Sequence, residues 1–265
     1  MANRLELAKA SIAHGGQMLI RDVSLRLGAG RIGCLLGPGA CGKSSLLRAI
    51  AGFEPLAQGA IHIDDARVSS PETHISPELR GLGMVFPDCA LFPHLTVGQN
   101  VAFGLRKLGG KEQAKRLVEA MHKVGLRDLR EMDSRYPHQL TGEQQMRVAL
   151  ARALAPRPRL LLLDDPFARL DRSQQERLPA EIRDILKEAE VTALLATQDQ
   201  SEALAMADEI GVMSTGRLLQ WGDAESIYQR PANRFVANYV GQGAILTVQM
   251  ALGVGIISEI GALPL

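Results

Sequence analysis

The chain has 265 residues, is 46% hydrophobic, and carries 30 basic against 29 acidic residues for a net charge of +1. That length suits one large α/β domain, or one domain with a small appendage, with enough apolar residues for a full core. The near-zero charge excludes a global field for nucleic acid or acidic lipid, and three cysteines (Cys34, Cys41, Cys89) without metal or C-x-x-C spacing exclude a disulfide framework and fit a reducing cytoplasm.

The N-terminal MANRLELAKAS has no secretory apolar core. Leu5 to Leu7 and Leu19 to Leu27 alternate with period two around Gly15-Gly16, as in an antiparallel sheet that Ala60 to Ile63 would join. Ile32 to Leu36 reads as a buried strand and Leu46 to Ala51 as a helix. From Asp88 to Ala155 the pattern is helical, with Leu117, Val118, Met121 and Val124 placed on one face of Lys111 to Val124. Leu160 to Leu163 suits a strand covered on both faces, and Val191 to Ala196 is a second such run. Pro179 is expected to break the helix Ser173 to Ala189 near Leu178. Glu209 to Trp221 reads as a hairpin turning near Ser214-Thr215-Gly216. No apolar run reaches the roughly 20 residues of a membrane-spanning helix. The nearest, Ala244 to Ile257, is broken by Gln249 and by glycines.

The chemistry concentrates in GPGACGKSS, which fits G-x-x-x-x-G-K-[ST] between the Ile32 strand and the Leu46 helix. Gly37, Pro38, Gly39, Ala40, Cys41, Gly42, Lys43, Ser44 and Ser45 make a loop of small residues whose N–H groups can turn in on a phosphate. Lys43 can reach the terminal phosphates, and the Ser44 hydroxyl can hold magnesium. Cys41 in this loop is either small filler or a redox-sensitive thiol. Asp164 and Asp165 end the leucine run. A carboxylate leaving a strand beside a phosphate loop can hold magnesium, and the next can orient an attacking water. Alternating strands and helices argue for a largely parallel sheet, with both motifs at the carboxyl ends of its strands.

Four segments in order, GPGACGKSSLLRAIAGFEP, VFPDCALFPHLTVGQNVAFGL, YPHQLTGEQQMRVALARALAPRPRLLLLDDPFARLD and ATQDQSEALAMADEIGVMSTGRLLQWG, make the chain resemble the ATP-binding subunit of an ABC transporter. The resemblance covers roughly residues 5 to 240 and is to importer subunits of the ferric-iron, maltose and polyamine type. The run VGQGAILTVQ is similar to the ferric-iron group.

The resemblance implies an α/β fold: a P-loop NTPase-type core sheet with an N-terminal antiparallel β subdomain and an inserted helical subdomain at about 88–155. Residues 1–240 would be the nucleotide-binding domain, and 241–265 a short apolar tail beginning a truncated C-terminal regulatory domain, packed on the main domain or a dimer mate. It further implies ATP and Mg2+ as cofactors, bound in a nucleotide-sandwich dimer with a second ATP-binding subunit, most simply a homodimer. The signature Leu140 to Gln144, with Thr141, Gly142 and Gln144, would face the partner subunit's γ-phosphate. Asp171 would lie at the dimer interface. His14 stands where the family stacks an aromatic on adenine; it is either that stacking group or a solvated turn residue. Transmembrane permease subunits would be docking partners, with a substrate-binding protein behind them and no nucleic-acid partner. The protein would be cytoplasmic and peripheral on the inner face of the membrane.

Four positions depart from the family. Pro87 replaces a glutamine that senses magnesium and water. Asp165 replaces a water-activating glutamate, Gln198 a switch histidine, and Glu143 the glycine at the fourth signature position. A shorter base is poorly placed, glutamine cannot carry positive charge, and a carboxylate aimed at a γ-phosphate repels it. Two functions follow: an importer ATPase with impaired hydrolysis, or a non-hydrolysing nucleotide-dependent dimerisation or regulatory module. A soluble relative acting in DNA repair or translation is disfavoured, since no coiled-coil insertion or tandem domain is visible. Trp221, Tyr228 and Tyr239 read as scattered packing aromatics.

Overall fold

The computed structural model describes residues 3–126, 129–241, 248–252, 255–258 and 261–264. In chain order the strands are β1 (Asn3–His14), β2 (Gln17–Gly28), β3 (Ile32–Leu36), β4 (Gln58–Ile63), β5 (Ala66–Ser69), β6 (Leu82–Val85), β7 (Leu160–Asp164), β8 (Ala193–Thr197), β9 (Glu209–Ser214), β10 (Arg217–Gly222), β11 (Val248–Leu252), β12 (Gly255–Ser258) and β13 (Gly261–Pro264). The helices are α1 (Lys43–Ala51), α2 (Val97–Ala102), α3 (Gly110–Lys123), α4 (Leu129–Met132), α5 (Gly142–Leu154), α6 (Arg172–Glu188), α7 (Gln200–Met206), α8 (Ala224–Gln229) and α9 (Arg234–Val240).

The central sheet runs β10-β9-β3-β8-β7-β6, parallel from β9 to β6, with β10 added antiparallel by the Ser214–Arg217 hairpin. Its strands alternate sides. Ile32, Cys34 and Leu36, Leu161 and Leu163, Ala193 and Leu195 point into one core with α5, α6 and α7. Leu35, Leu160 and Leu162, Leu194 and Ala196 point into the other, with α1 and the N-terminal strands. That two-sided burial is why these strands read as unbroken apolar runs.

The second sheet, β2-β1-β4-β5, is antiparallel and closes β1 to β2 at Gly15-Gly16. Both glycines have positive φ, as a two-residue hairpin turn favours. A third antiparallel sheet, β11-β12-β13, forms in the tail. The expectation that the tail packs on the main domain or a mate concerns side chains outside the described residues.

Helices α2 to α5 are inserted between the neighbouring parallel strands β6 and β7. On α3 and at its C-terminal cap, Met121 and Val124 are buried and Leu117 packs against the core, but Val118 is 43% exposed. One residue past Leu117 is a 100° step around the helix, enough to leave the 117/121/124 stripe. The expected break at Leu178 is also absent, since α6 runs unbroken from Arg172 to Glu188 with Pro179 inside it. Leu178, Pro179, Ile182 and Leu186 are all buried, so tertiary packing outweighs the proline's local cost. Trp221 fills the space left by Gly33 and Gly211, where an added Cβ would come within 2.9 and 2.6 Å of the indole. Tyr239 stacks on Phe235 at 5.4 Å, whereas Tyr228 is 68% exposed and packs nothing into a core.

Candidate functional site

The carboxyl ends of β3, β7 and β8 bring three segments together. The loop after β3 is held by its backbone: Gly37 N–H donates to Thr197 O at 3.3 Å, and Cys41 O accepts from Gly216 N–H at 3.2 Å. Glycine is required at two places. A Cβ on Gly37 would lie 2.3 Å from Met213 O, and one on Gly42, at φ +101°, would lie 2.2 Å from Ile20 Cδ1. Gly42 caps α1 in the left-handed region, so the chain turns sharply into the helix and aims its first N–H groups back over the loop. Ala40 also has positive φ, 58°.

Lys43 folds over this loop, its ammonium donating to Gly37 O at 2.7 Å and Pro38 O at 2.9 Å. The Ser44 hydroxyl donates to Asp164 Oδ1 at 2.8 Å. Two residues 120 apart in sequence thus meet at the sheet edge expected from their strands. Burial pushes the Asp164 carboxyl above its ordinary range, and the Ser44 bond pulls part of that back. A buried carboxylate beside a hydroxyl is an oxygen-donor pair of the kind a hard divalent cation accepts, phosphate and water oxygens completing the set. Among the described residues no cluster of three or more His, Cys, Asp or Glu could hold a metal unaided. Ser44 and Asp164 offer such a pair of oxygen donors.

Asp165 follows with φ 45° and its N–H bonded to Ala196 O at 2.8 Å. Burial, then the neighbouring Asp164, pushes its carboxyl up. Gln198, just past β8, is exposed, and its Oε1 lies 3.7 Å from where a Gly39 Cβ would be. Its amide therefore stands beside the phosphate loop. Cys41 is buried and its sulfur is 3.8 Å from Lys43 Nζ.

The other expected residues lie apart from this cluster. His14 is exposed at the end of β1. Thr141 and Gln144 cap α5 reciprocally: Thr141 Oγ1 accepts from Gln144 N–H at 3.3 Å, and Gln144 Oε1 from Thr141 N–H at 3.0 Å. Gly142 is the first residue of that helix, against Arg169 O and Leu170. Asp171 caps α6, accepting from Gln174 N–H at 2.9 Å. Pro87 is the second residue of a turn closed by Cys89 N–H to Phe86 O at 2.9 Å, a position its fixed φ favours. Glu143 corrects the sequence reading. Its carboxylate turns back onto Arg147, at 2.8 Å, and Arg177, at 3.0 Å, so it is neutralised within the chain.

Glu202 and Arg177 escaped the sequence reading, and Tyr239 was read only as packing. Glu202 is 3% exposed beneath the site, accepting from Thr197 Oγ1 at 2.5 Å, while that hydroxyl accepts from Asp199 N–H at 3.0 Å. The signal was its spacing, four residues before buried Met206. The Tyr239 hydroxyl donates to Gln198 O at 3.2 Å, and Arg177 reaches α5 from 34 residues away. Both contacts are long-range and leave no periodic trace.

Residues 20–168 match the protein family described as ABC transporter. The putrescine transport ATP-binding protein PotG of Escherichia coli K12 is 44% identical over 239 residues, covering 89% of this chain and 62% of that protein. The spermidine/putrescine import ATP-binding protein PotA of Roseobacter denitrificans is 41% identical, covering 93% and 66%. The Fe(3+) ions import ATP-binding protein FbpC of Serratia marcescens is 40% identical, covering 94% and 71%. The chain thus spans less than two thirds of the length of the first two. Among solved structures, the ATP-binding cassette MJ0796, a post-hydrolysis dimer bound to ADP and Pi, superposes with a TM-score of 0.71 at 25% identity, covering 83% of this chain and 98% of that one.

Proposed function

The chain belongs to the ABC transporter family, and from that membership we propose that it is the MgATP-binding, energy-coupling subunit of an importer, hydrolysing ATP to drive solute uptake. The observation that carries the reading is the Ser44–Asp164 hydrogen bond at 2.8 Å beside the folded-over Lys43. Lysine, hydroxyl and carboxylate converge at the mouth of a strand–loop–helix turn, the arrangement a nucleotide triphosphate and its cation require. Lys43 would leave the Gly37 and Pro38 carbonyls for the β/γ-phosphates. Ser44 and Asp164 would hold magnesium, whose chemistry is to neutralise phosphate charge. Asp165 would orient the attacking water and Gln198 would hydrogen-bond the γ-phosphate.

The sandwich arrangement draws on the MJ0796 dimer, with Thr141, Gly142 and Gln144 facing the second subunit's nucleotide. His14 would lie beside the base. We keep 1–240 as the nucleotide-binding unit and 88–155 as its helical subdomain, docking on permease subunits served by a substrate-binding protein. Within that subdomain, exposed Val118 (43%) and Tyr136 (40%) offer apolar surface for such a partner. Among the described residues no helix is long and apolar enough to cross a membrane, so this reading places the subunit peripherally, through its partner. Relatives at 40–44% identity are named for putrescine as well as Fe(3+). Ferric iron is therefore one cargo among several, decided by the permease and tested by which uptake defect follows deletion of the gene for this chain.

Pro87, Asp165 and Gln198 favour a second reading, a nucleotide-gated clamp with slow or no turnover. MgATP turnover and affinity of the native chain, measured beside a Pro87→Gln, Glu143→Gly, Asp165→Glu, Gln198→His variant, separate the two. Tight binding with turnover in the variant alone establishes the clamp. Comparable turnover in both establishes the motor. Absence of ATP binding would refute both.

A further inference from the structure

Glu143 is the departure that should do most harm, because its carboxylate sits in the first turn of the helix whose N-terminus meets a phosphate in the reading above. The structure shows why the harm is contained. Glu143 and Arg147 pair four residues apart on α5, as do Arg177 and Glu181 on α6. Two further bridges cross between the helices: Arg177 to Glu143 at 3.0 Å and Arg147 to Glu181 at 2.9 Å. The four side chains form a closed ring of alternating charge. Arg147 is nearly buried and is also fixed by donating to Val124 O at 2.7 Å. It cannot swing away to serve elsewhere. Desolvation pushes Glu143 up, but hydrogen bonds from Arg147 and then Arg177 outweigh it and keep the carboxyl below its usual range.

Charge counting identifies the member that matters. With two guanidiniums and two carboxylates the ring is neutral. Without Arg177, Glu143 and Glu181 share Arg147 alone, and one net negative charge stands at the α5 N-terminus. Without Glu143 the ring carries one net positive charge. Arg147 and Glu181 pair with each other in either case.

We propose that Arg177 is the positioning residue that compensates Glu143, holding its carboxylate against α6 so that the N-terminus of α5 still accepts the γ-phosphate of a nucleotide on a second copy of this chain. The proposal rests on the nucleotide-sandwich reading. It makes Glu143 and Arg177 a matched pair, with Arg177 touching neither nucleotide nor metal.

The test is self-association of the full chain, followed by sedimentation in Mg2+ and ATPγS, for the native protein and for Arg177→Gln, Glu143→Gln and the double variant. Arg177→Gln is expected to raise the protein concentration at half-dimerisation about fivefold, from roughly the strength of one charge at a helix terminus at each of two sites. Glu143→Gln should leave it unchanged or lower it, and the double variant should return to within about twofold of native. ATPγS affinity of the dilute monomer should be the same in all four. Rescue is the readout a packing role would not give. If the double variant is as impaired as Arg177→Gln, or if no variant moves the midpoint while native dimerises, the compensation idea is overturned and the sandwich reading survives. If the native chain binds ATPγS yet never dimerises, the sandwich reading fails and takes the proposal with it.

Discussion

Replacing Glu202 by glutamine tests the electrostatics beneath the site without touching it. Burial, with smaller contributions from Asp199 and Asp165, pushes the Glu202 carboxyl up to about 7 from an ordinary value of 4.5. In the unfolded chain the group ionises near 4.5, whereas in the folded chain it keeps its proton until about pH 7. Between those values the native state holds more protons than the unfolded one, so stability falls as pH rises through this window and levels off above it. At about 1.4 kcal/mol per pH unit the gap is on the order of 3 kcal/mol. Glutamine does not titrate, and its amide oxygen can still accept the Thr197 hydroxyl. Urea unfolding of native and Glu202→Gln proteins at steps from pH 5 to 8 should show the native chain losing about 2–3 kcal/mol relative to the variant. Above pH 7 the variant should be the more stable. Parallel stability curves would refute the argument, since they would mean Glu202 is solvated or already ionised in the folded state.

Other outcomes follow from the loop and from α6. Lys43→Ala removes an ammonium whose bonds here are to two loop carbonyls, so the melting temperature should barely move, while ATP affinity measured by calorimetry falls about 10- to 100-fold, the worth of a charge-assisted hydrogen bond. Asp164→Asn should abolish the magnesium dependence of ATP affinity, read by titrating with and without EDTA. Gly42→Ala combines a left-handed backbone with a 2.2 Å approach to buried Ile20, and should cost about 2–3 kcal/mol in urea unfolding. Adding Ile20→Val should recover only the steric part. Pro179→Ala should stabilise by about 1–2 kcal/mol, the helix-interior penalty less the lost burial of the ring. A loss there would show that α6 is shaped around the proline.

Much of the fold was legible because two-sided burial writes itself into sequence. Leu160 to Leu163 alternate between the two cores, so no polar residue interrupts the run. The phosphate loop was legible for a similar reason, since the close approaches at Gly37 and Gly42 admit only glycine. What stayed hidden was set by partners distant in the chain. The sequence places Glu143 at the start of a helix but cannot say which way its carboxylate turns; a guanidinium 34 residues on decides that. Pro179 misled because local propensity was weighed without the core it packs against, and Val118 because a stripe was drawn one residue too wide.

Three of the four family departures, and Pro179 beside them, are accommodated by local structure. Pro87 occupies a turn position that suits its ring. Glu143 lies in a closed ring of ion pairs, and Pro179 is buried inside an unbroken helix. Gln198 stands over Gly39 with its carbonyl held by Tyr239. Random loss of function would be expected to leave strained backbone, unpaired charge or a broken element at such positions. Pro87, Glu143 and Gln198 show none of these, whereas Asp165 has a left-handed backbone, φ 45°, and a carboxyl pushed up by burial and by the neighbouring Asp164. On the proposed reading the changes would weigh on water positioning and γ-phosphate contact, the terms that set turnover, while the contacts of Lys43, Ser44 and Asp164 are kept. If that proposal holds, the native chain should bind MgATP as tightly as the Pro87→Gln, Glu143→Gly, Asp165→Glu, Gln198→His variant and turn it over more slowly, and equal turnover would refute it.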